Sequence, residues 1–386
     1  MTLDLASFHR ACSPDGTLLG ENHEEPYYLD LSSVRGNALI EEFQRTIRLA
    51  PDKPTCQLLA APIGSWKSQE LQRLKTTLAQ EGWHVVYCSA KQDLDLADVH
   101  ILDVLLMLAY RVSTSLKSQC ISLKSKYFSR LFQEIRLIFD FYVENSPNAQ
   151  FSDGIGSLIA RLKNNSQFRY QLRIYLESRT DEVLNAINQE LLQAATEALK
   201  QRYSRGLVLI VDELELAENR RLASGRYQPE YLFIDQGEQL RRLNCHVVYA
   251  IPMGLMFSKG YEAIKSGLGK GLAPKVLPMV PVYQRDGSHC KQGMALLRQA
   301  VLIRAFPDVE PAQRLHLIPE IFDSPETLDR LCRISGGYVR HLLGLLYKCF
   351  WEEEPPFSRG SLERLIAEYR DGLVAAVDDH EWNLLR

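Results

Sequence analysis

Ala61-Pro62-Ile63-Gly64-Ser65-Trp66-Lys67-Ser68 decides the fold, because of what flanks it. An apolar run at 55–60 leads into it, and Leu71, Leu74 and Leu78 follow at helical spacing across 70–80. A strand, a short loop and a helix opening on Lys-Ser aim backbone N–H groups and the positive end of a helix at an anion. In that reading Gly64, Ser65, Trp66, Lys67 and Ser68 line a phosphate site, with Lys67 on the terminal phosphates and the Ser68 hydroxyl on Mg²⁺. Alone, a loop matching only at Gly64, Lys67 and Ser68 also fits an ordinary helix start.

Leu207-Val208-Leu209-Ile210-Val211-Asp212-Glu213 changes the balance, being an apolar run that ends in two acids. Where phosphates and a metal are bound, the first acid, Asp212, holds the water shell of Mg²⁺, and the second, Glu213, polarises an attacking water. Two acids capping a strand-to-loop turn is the plainer alternative, and it weakens once Lys67 stands in the matching place. Further apolar runs at 84–89 and 246–251, with helical spacing across 70–80 and 229–243 between runs, predict a parallel sheet covered on both faces. A fifth run, 275–282, is broken by Pro278 and Pro281 and suits an edge strand.

Residues 90–206 carry almost no strand signal, whereas 101–116, 127–142 and 182–202 are helically periodic, so a helical insertion is expected. Past residue 290, the segments 293–305, 325–334, 339–351 and 361–377 read as four helices, and Ser324-Pro325-Glu326 supplies a cap, a first-turn proline and a first-turn acid. The expected domains are an arm and the first part of an NTPase core at 1–100, the insertion at 101–205, the rest of the core at 206–290 and a helical lid at 291–386. Residues 1–26 read as a polar, turn-rich arm, with turns at Ser13-Pro14-Asp15-Gly16 and Glu24-Glu25-Pro26.

Composition narrows the classes. The 386 residues are 46% hydrophobic and 24% charged, ordinary for a protein with a real core. A formal net charge of −3 and the absence of a basic run argue against nucleic acid held by charge alone, though a local patch stays open. The eight cysteines stand singly, as free thiols of a reducing compartment would, and the nine histidines show no metal-ligand spacing. No apolar stretch approaches the roughly 18 residues of a membrane span, and the N-terminus lacks a signal-peptide plan. A cytoplasmic location is expected.

Ser335-Gly336-Gly337-Tyr338-Val339-Arg340 opens a helix of the lid. With the loop, the acids and the stretches Leu29-Asp30-Leu31-Ser32-Ser33-Val34-Arg35-Gly36, Asn244-Cys245-His246-Val247-Val248-Tyr249 and Pro278-Met279-Val280-Pro281, the chain resembles the bacterial AAA+/STAND-type P-loop NTPases. The likeness spans roughly residues 5–380 and implies an α/β P-loop NTPase, AAA+-like, with a parallel sheet, a large helical insertion and a C-terminal α-helical lid. By the family's arrangement Val34 and Arg35 lie near the adenine, and Arg340 reaches the γ-phosphate as a sensor. ATP or ADP and Mg²⁺ are the implied cofactors. A protein partner or effector is expected, and homo-oligomer formation is open.

Two departures qualify that expectation. Relatives read about Gly-His-x-Gly-x-Gly-Lys-Ser-Thr-Glu-Leu where this chain has Ala61 to Leu71, so Ala61 and Trp66 replace glycines. A non-glycine in a left-handed conformation costs only about 1–2 kcal/mol, so the volume of the indole is the larger obstacle to phosphate. Ala250 stands after the fourth strand, where relatives often carry a polar sensor. The resulting reading is a nucleotide-dependent switch with weakened ATP binding and slow or absent hydrolysis. Two alternatives are a pseudo-ATPase scaffold that binds no nucleotide and a DNA-loading ATPase of the origin-recognition type.

Overall fold

The computed structural model describes residues 3–13, 27–35, 38–139, 151–202, 204–376 and 382. Packing divides the chain into a sheet unit, Ala38–Pro62 with Lys67–Leu277, and a helical unit, Met1–Asn37 with Ile63–Trp66 and Pro278–Arg386.

Five strands form the sheet: β1 (Cys56–Ala61), β2 (His84–Ser89), β3 (Leu207–Asp212), β4 (His246–Pro252) and β5 (Lys275–Val276). They lie in the order β2-β3-β4-β1-β5, every pair parallel. This is the α/β architecture with a parallel sheet that the sequence led us to expect. The apolar runs are continuous because both faces are covered, and alternate residues serve opposite faces. Leu59, Ala61, Val208, Ile210, Val248 and Ala250 face one cluster, closed by helices Ala38–Leu49 and Lys67–Gln80 through Phe43, Ile47, Leu71 and Leu74. Leu58, Ala60, Leu209, Val211, Val247 and Tyr249 belong to the second cluster, closed mainly by helix Ile101–Ser118, nearly all of whose apolar residues are buried.

Three details differ from expectation. Only Lys275 and Val276 of 275–282 pair with β1, since Pro278 and Pro281 have no N–H to continue the ladder. Ala250 lies inside β4, opposite Leu59 and fully buried, so it is a core residue and not one placed after the strand. Helices Phe151–Asn164 and Ser166–Leu176 lie where the sequence offered no clear period. In the first of them Gly154 and Gly156 look like breakers, yet they permit close approach. A Cβ on Gly156 would meet the Tyr110 ring at 2.9 Å, and one on Gly154 would meet Phe132 at 3.0 Å. Helix Lys126–Phe139 covers the described part of the 127–142 expectation, and residues 140–142 lie outside the described residues. From Thr180 to Lys200 the chain is helical, with a π-helical stretch at Ile187–Leu192.

The helical unit contains Lys291–Ala305, Pro325–Ile334, Val339–Glu352 and Arg359–Ala376, the last expected as far as Val377, which lies outside the described residues. Ser324 caps the second of these, accepting from the Thr327 N–H at 3.3 Å. The N-terminal arm needs correction. Leu5–Cys12 is a helix, capped by Asp4, whose Phe8, Ala11 and Cys12 are buried, Phe8 and Cys12 in this unit's core. The turns expected at 14–16 and 24–26 lie outside the described residues. Among the described residues no helix is long and apolar enough to cross a membrane.

Candidate functional site

The site begins where β1 ends. After Ala61 the chain turns through Pro62 to Trp66, and Lys67 is the first residue of helix Lys67–Gln80. Two loop residues take left-handed backbone angles, Gly64 at φ +85° and Trp66 at φ +61°. The second is the angle for which a glycine would be chosen, and here a tryptophan holds it.

Within the sheet unit, Lys67 and the acids after β3 come together as the sequence implied. Asp212, the last residue of β3, is fully buried and pairs with the Lys67 ammonium, itself 7% exposed. Register explains the rest. β2 runs beside β3, with Tyr87 opposite Ile210 and Ser89 opposite Asp212. The Tyr87 hydroxyl donates to Asp212, and the Ser89 hydroxyl donates to Glu213. The Ser68 hydroxyl and the Glu213 N–H, at 2.8 Å, also serve Asp212. Glu213 sits at φ +64°, which turns the chain sharply out of the strand. A one-turn 3₁₀ segment, Leu214–Leu216, follows and returns Glu215 towards Lys67, its Oε1 2.9 Å from the ammonium.

One ammonium thus faces two buried carboxylates. Burial draws the Lys67 ammonium down, but Asp212 and Glu215 outweigh it and hold the charge above its ordinary range. Burial pushes Asp212 up, and Lys67, Ser68 and Tyr87 more than reverse this, so it stays ionised. For Glu215 burial prevails over Lys67, with repulsion from Asp212 added, and its carboxyl lies above the ordinary value. Burial and the Asp212 charge push the Tyr87 phenol far up, which keeps it a donor. The second Glu215 oxygen, Oε2, is buried with no hydrogen-bond partner among the described residues.

Sequence reading found Lys67, Ser68, Asp212 and Glu213 but missed Tyr87, Ser89 and Glu215.

The remaining expected site residues belong to the helical unit. Gly64 lies against Tyr338 and Arg340: a Cβ there would meet the Arg340 Cβ at 3.1 Å, and the Arg340 N–H donates to the Gly64 carbonyl at 3.4 Å. Arg340 is the second residue of helix Val339–Glu352 and is exposed. The approach to that helix requires glycine, because Gly337 has φ +84° and a Cβ on it would lie 1.8 Å from the Val280 carbonyl oxygen. Ser65 is buried. The Trp66 ring packs on the helical unit's core, to which Val34 also belongs, and lies over the buried Arg304 guanidinium at 5.3 Å. Arg304 in turn lies 5.0 Å from the Tyr27 ring and donates to the Tyr27 carbonyl at 2.9 Å. Val34 and Arg35 form a short helix, Ser32–Arg35, with Arg35 buried. Among the described residues no group of three or more His, Cys, Asp or Glu is arranged to hold a metal ion.

No family model matches the chain, and no curated protein does. Among solved structures it is similar to the Aeropyrum pernix ORC2 protein in ADPNP–ADP complexes, at 12% identity and a TM-score of 0.42, over 95% of this chain and 73% of that one. The ADP form of the same protein aligns at 14% identity and a TM-score of 0.40, over 90% and 71%.

Proposed function

We propose that this chain is a nucleotide-dependent switch of the AAA+ P-loop class, binding ATP or ADP with Mg²⁺ weakly and hydrolysing slowly or not at all. One observation carries the reading: a lysine at the start of the helix that follows β1 by a short loop lies against a buried aspartate at the end of β3, a parallel strand two places along the sheet. Such an arrangement supports an anion at the helix N-terminus and a cation beside the aspartate.

The residues present fit the cofactor. Lys67 and the loop N–H groups would hold the phosphates, and Ser68 and Asp212 would hold Mg²⁺. Bound there, the ion would neutralise charge on the phosphates. Glu213, held by Ser89, is the acid in position to orient a water, and Arg340 remains the candidate sensor of the γ-phosphate. Val34 and Arg35 are the candidates for the adenine side. A partner protein that reads the switch, and assembly of several copies, belong to the same proposal.

Calorimetry of the full chain with MgATP and MgADP tests it. Measurable binding to both that is lost in Lys67→Ala supports the switch. Absence of binding in the unmodified protein, with its fold intact, overturns it in favour of a scaffold, a second reading favoured by the fact that two acids already satisfy Lys67.

A further inference from the structure

We propose that Glu215 is a built-in competitor of phosphate: its carboxylate takes the place at the Lys67 ammonium that a terminal phosphate of a nucleotide would take, so that ligand enters only as that pair opens. The inference rests on the nucleotide-binding reading and adds to it a residue that sets affinity.

The two acids on Lys67 are not equivalent. Asp212 accepts from Tyr87, Ser68 and the Glu213 N–H as well as from Lys67, so it remains well supported when the ammonium moves. Glu215 has one charged partner. Its Oε1 lies 2.9 Å from the Lys67 Nζ, while its Oε2 is buried without a hydrogen bond among the described residues. A buried carboxylate so poorly provided for holds the nearest ammonium by charge.

Geometry makes the contact breakable. Asp212 is fixed in β3, paired with Ser89 of β2, whereas Glu215 rides on the single 3₁₀ turn Leu214–Leu216, between the left-handed Glu213 and Ala217. Rotation of the Glu215 side chain alone would withdraw its carboxylate, while Leu214 of the same turn stays buried in the core. The charge balance points the same way. A lysine that faces two carboxylates presents no surplus positive charge to a phosphate. A purely structural ion pair would predict the opposite response to neutralisation, since removing charge from Glu215 would loosen Lys67 and the helix start that holds the ligand.

The test is calorimetry of the full chain with MgATP, and separately with inorganic pyrophosphate, on the unmodified protein, Glu215→Gln, Lys67→Ala and the exposed control Glu218→Gln. Competition predicts that Glu215→Gln tightens both ligands about ten-fold, the value of one charge-assisted hydrogen bond, while Glu218→Gln changes neither. Glu215→Asp keeps the charge but shortens its reach, and an intermediate tightening in it serves as the readout if Glu215→Gln melts well below the unmodified protein. If the unmodified protein binds MgATP and neither Glu215 variant binds it more tightly, the competitor role is overturned while the nucleotide reading stands. If neither the unmodified protein nor the folded Glu215 variants bind either ligand, both are overturned.

Discussion

Replacing Lys67 by methionine keeps the apolar stem and removes the charge, which isolates the electrostatic part of the site. In the folded protein the ammonium is 7% exposed, and the acids it serves are equally sheltered, Asp212 at 0% and Glu215 at 9%. Removing one member of a buried pair leaves an uncompensated charge and typically costs about 3–5 kcal/mol. Asp212 keeps its donors from Tyr87, Ser68 and Glu213, so most of the cost falls on Glu215, whose Oε2 has no hydrogen-bond partner among the described residues. Glu215 relieves part of it by taking a proton, as burial already inclines it to do. We therefore expect Lys67→Met to lose about 3 kcal/mol in urea titrations near neutral pH. Lys67→Met with Glu215→Gln should recover about half of that, because a neutral amide needs no counter-charge. Tyrosine and tryptophan fluorescence would follow the transition. A loss below about 1 kcal/mol in the single variant, or a double variant no more stable than the single, would refute the account of a buried, lysine-dependent acid pair.

Three further outcomes follow from other parts of the chain. His246, buried at the start of β4 beside Trp83 and bonded to the Thr55 hydroxyl at 2.8 Å, has its pKa pulled down to about 4 by burial, so the unfolded chain binds the extra proton first. Its contribution is present above the unfolded value and is lost as pH falls towards 4, by about 2 kcal/mol after allowing for solvent, and His246→Gln should flatten that part of a stability–pH profile. At Trp66, Ala removes the packing on Arg304 but keeps the left-handed strain, whereas Gly removes both, so Trp66→Gly should be the more stable variant by about 1 kcal/mol in thermal melts, and the reverse order would show that φ +61° is not strained. Gly337→Ala puts a Cβ within 1.8 Å of the Val280 carbonyl oxygen, so the helical unit should lose its cooperative melt, and an unchanged melt would show that this approach is wrong.

How much of this was legible follows from which forces act locally. The strands were, because a parallel sheet covered on both faces leaves runs such as 207–211 with no polar interruption, and Asp212 marks where the strand ends. Lys67 was legible because strand, loop and helix are contiguous in sequence. Glu215 was not, because its role depends on the left-handed Glu213 that redirects the chain, and nothing in the residue type announces that angle. Helix Phe151–Asn164 was not legible for the related reason that a helix-weakening glycine can be required by a neighbouring ring, Phe132 for Gly154 and Tyr110 for Gly156. Helix Leu5–Cys12 is too short for periodicity and owes its place to Phe8 and Cys12 in the helical unit's core.

Trp66 shows what the structure adds to the reading of the loop. Read from the loop alone, the indole looked like bulk beside the phosphates. In the structure the backbone keeps the left-handed angle of a glycine, at a cost of about 1–2 kcal/mol. The ring packs on the helical unit's core with the buried Arg304 guanidinium 5.3 Å from its centroid. A desolvated cation–π contact returns about 2 kcal/mol, so the substitution is close to neutral in energy. The proposed weakness of ligand binding then has two candidate causes, the pair of carboxylates on Lys67 and the size of the tryptophan. The two causes separate cleanly, since Glu215→Gln changes charge at the ammonium without touching the loop, and Trp66→Gly with Ala61→Gly changes the loop without touching the charge. Tightening of MgATP by the first and not the second would place the weakness in electrostatics. The reverse result would return it to the steric reading of the missing glycines.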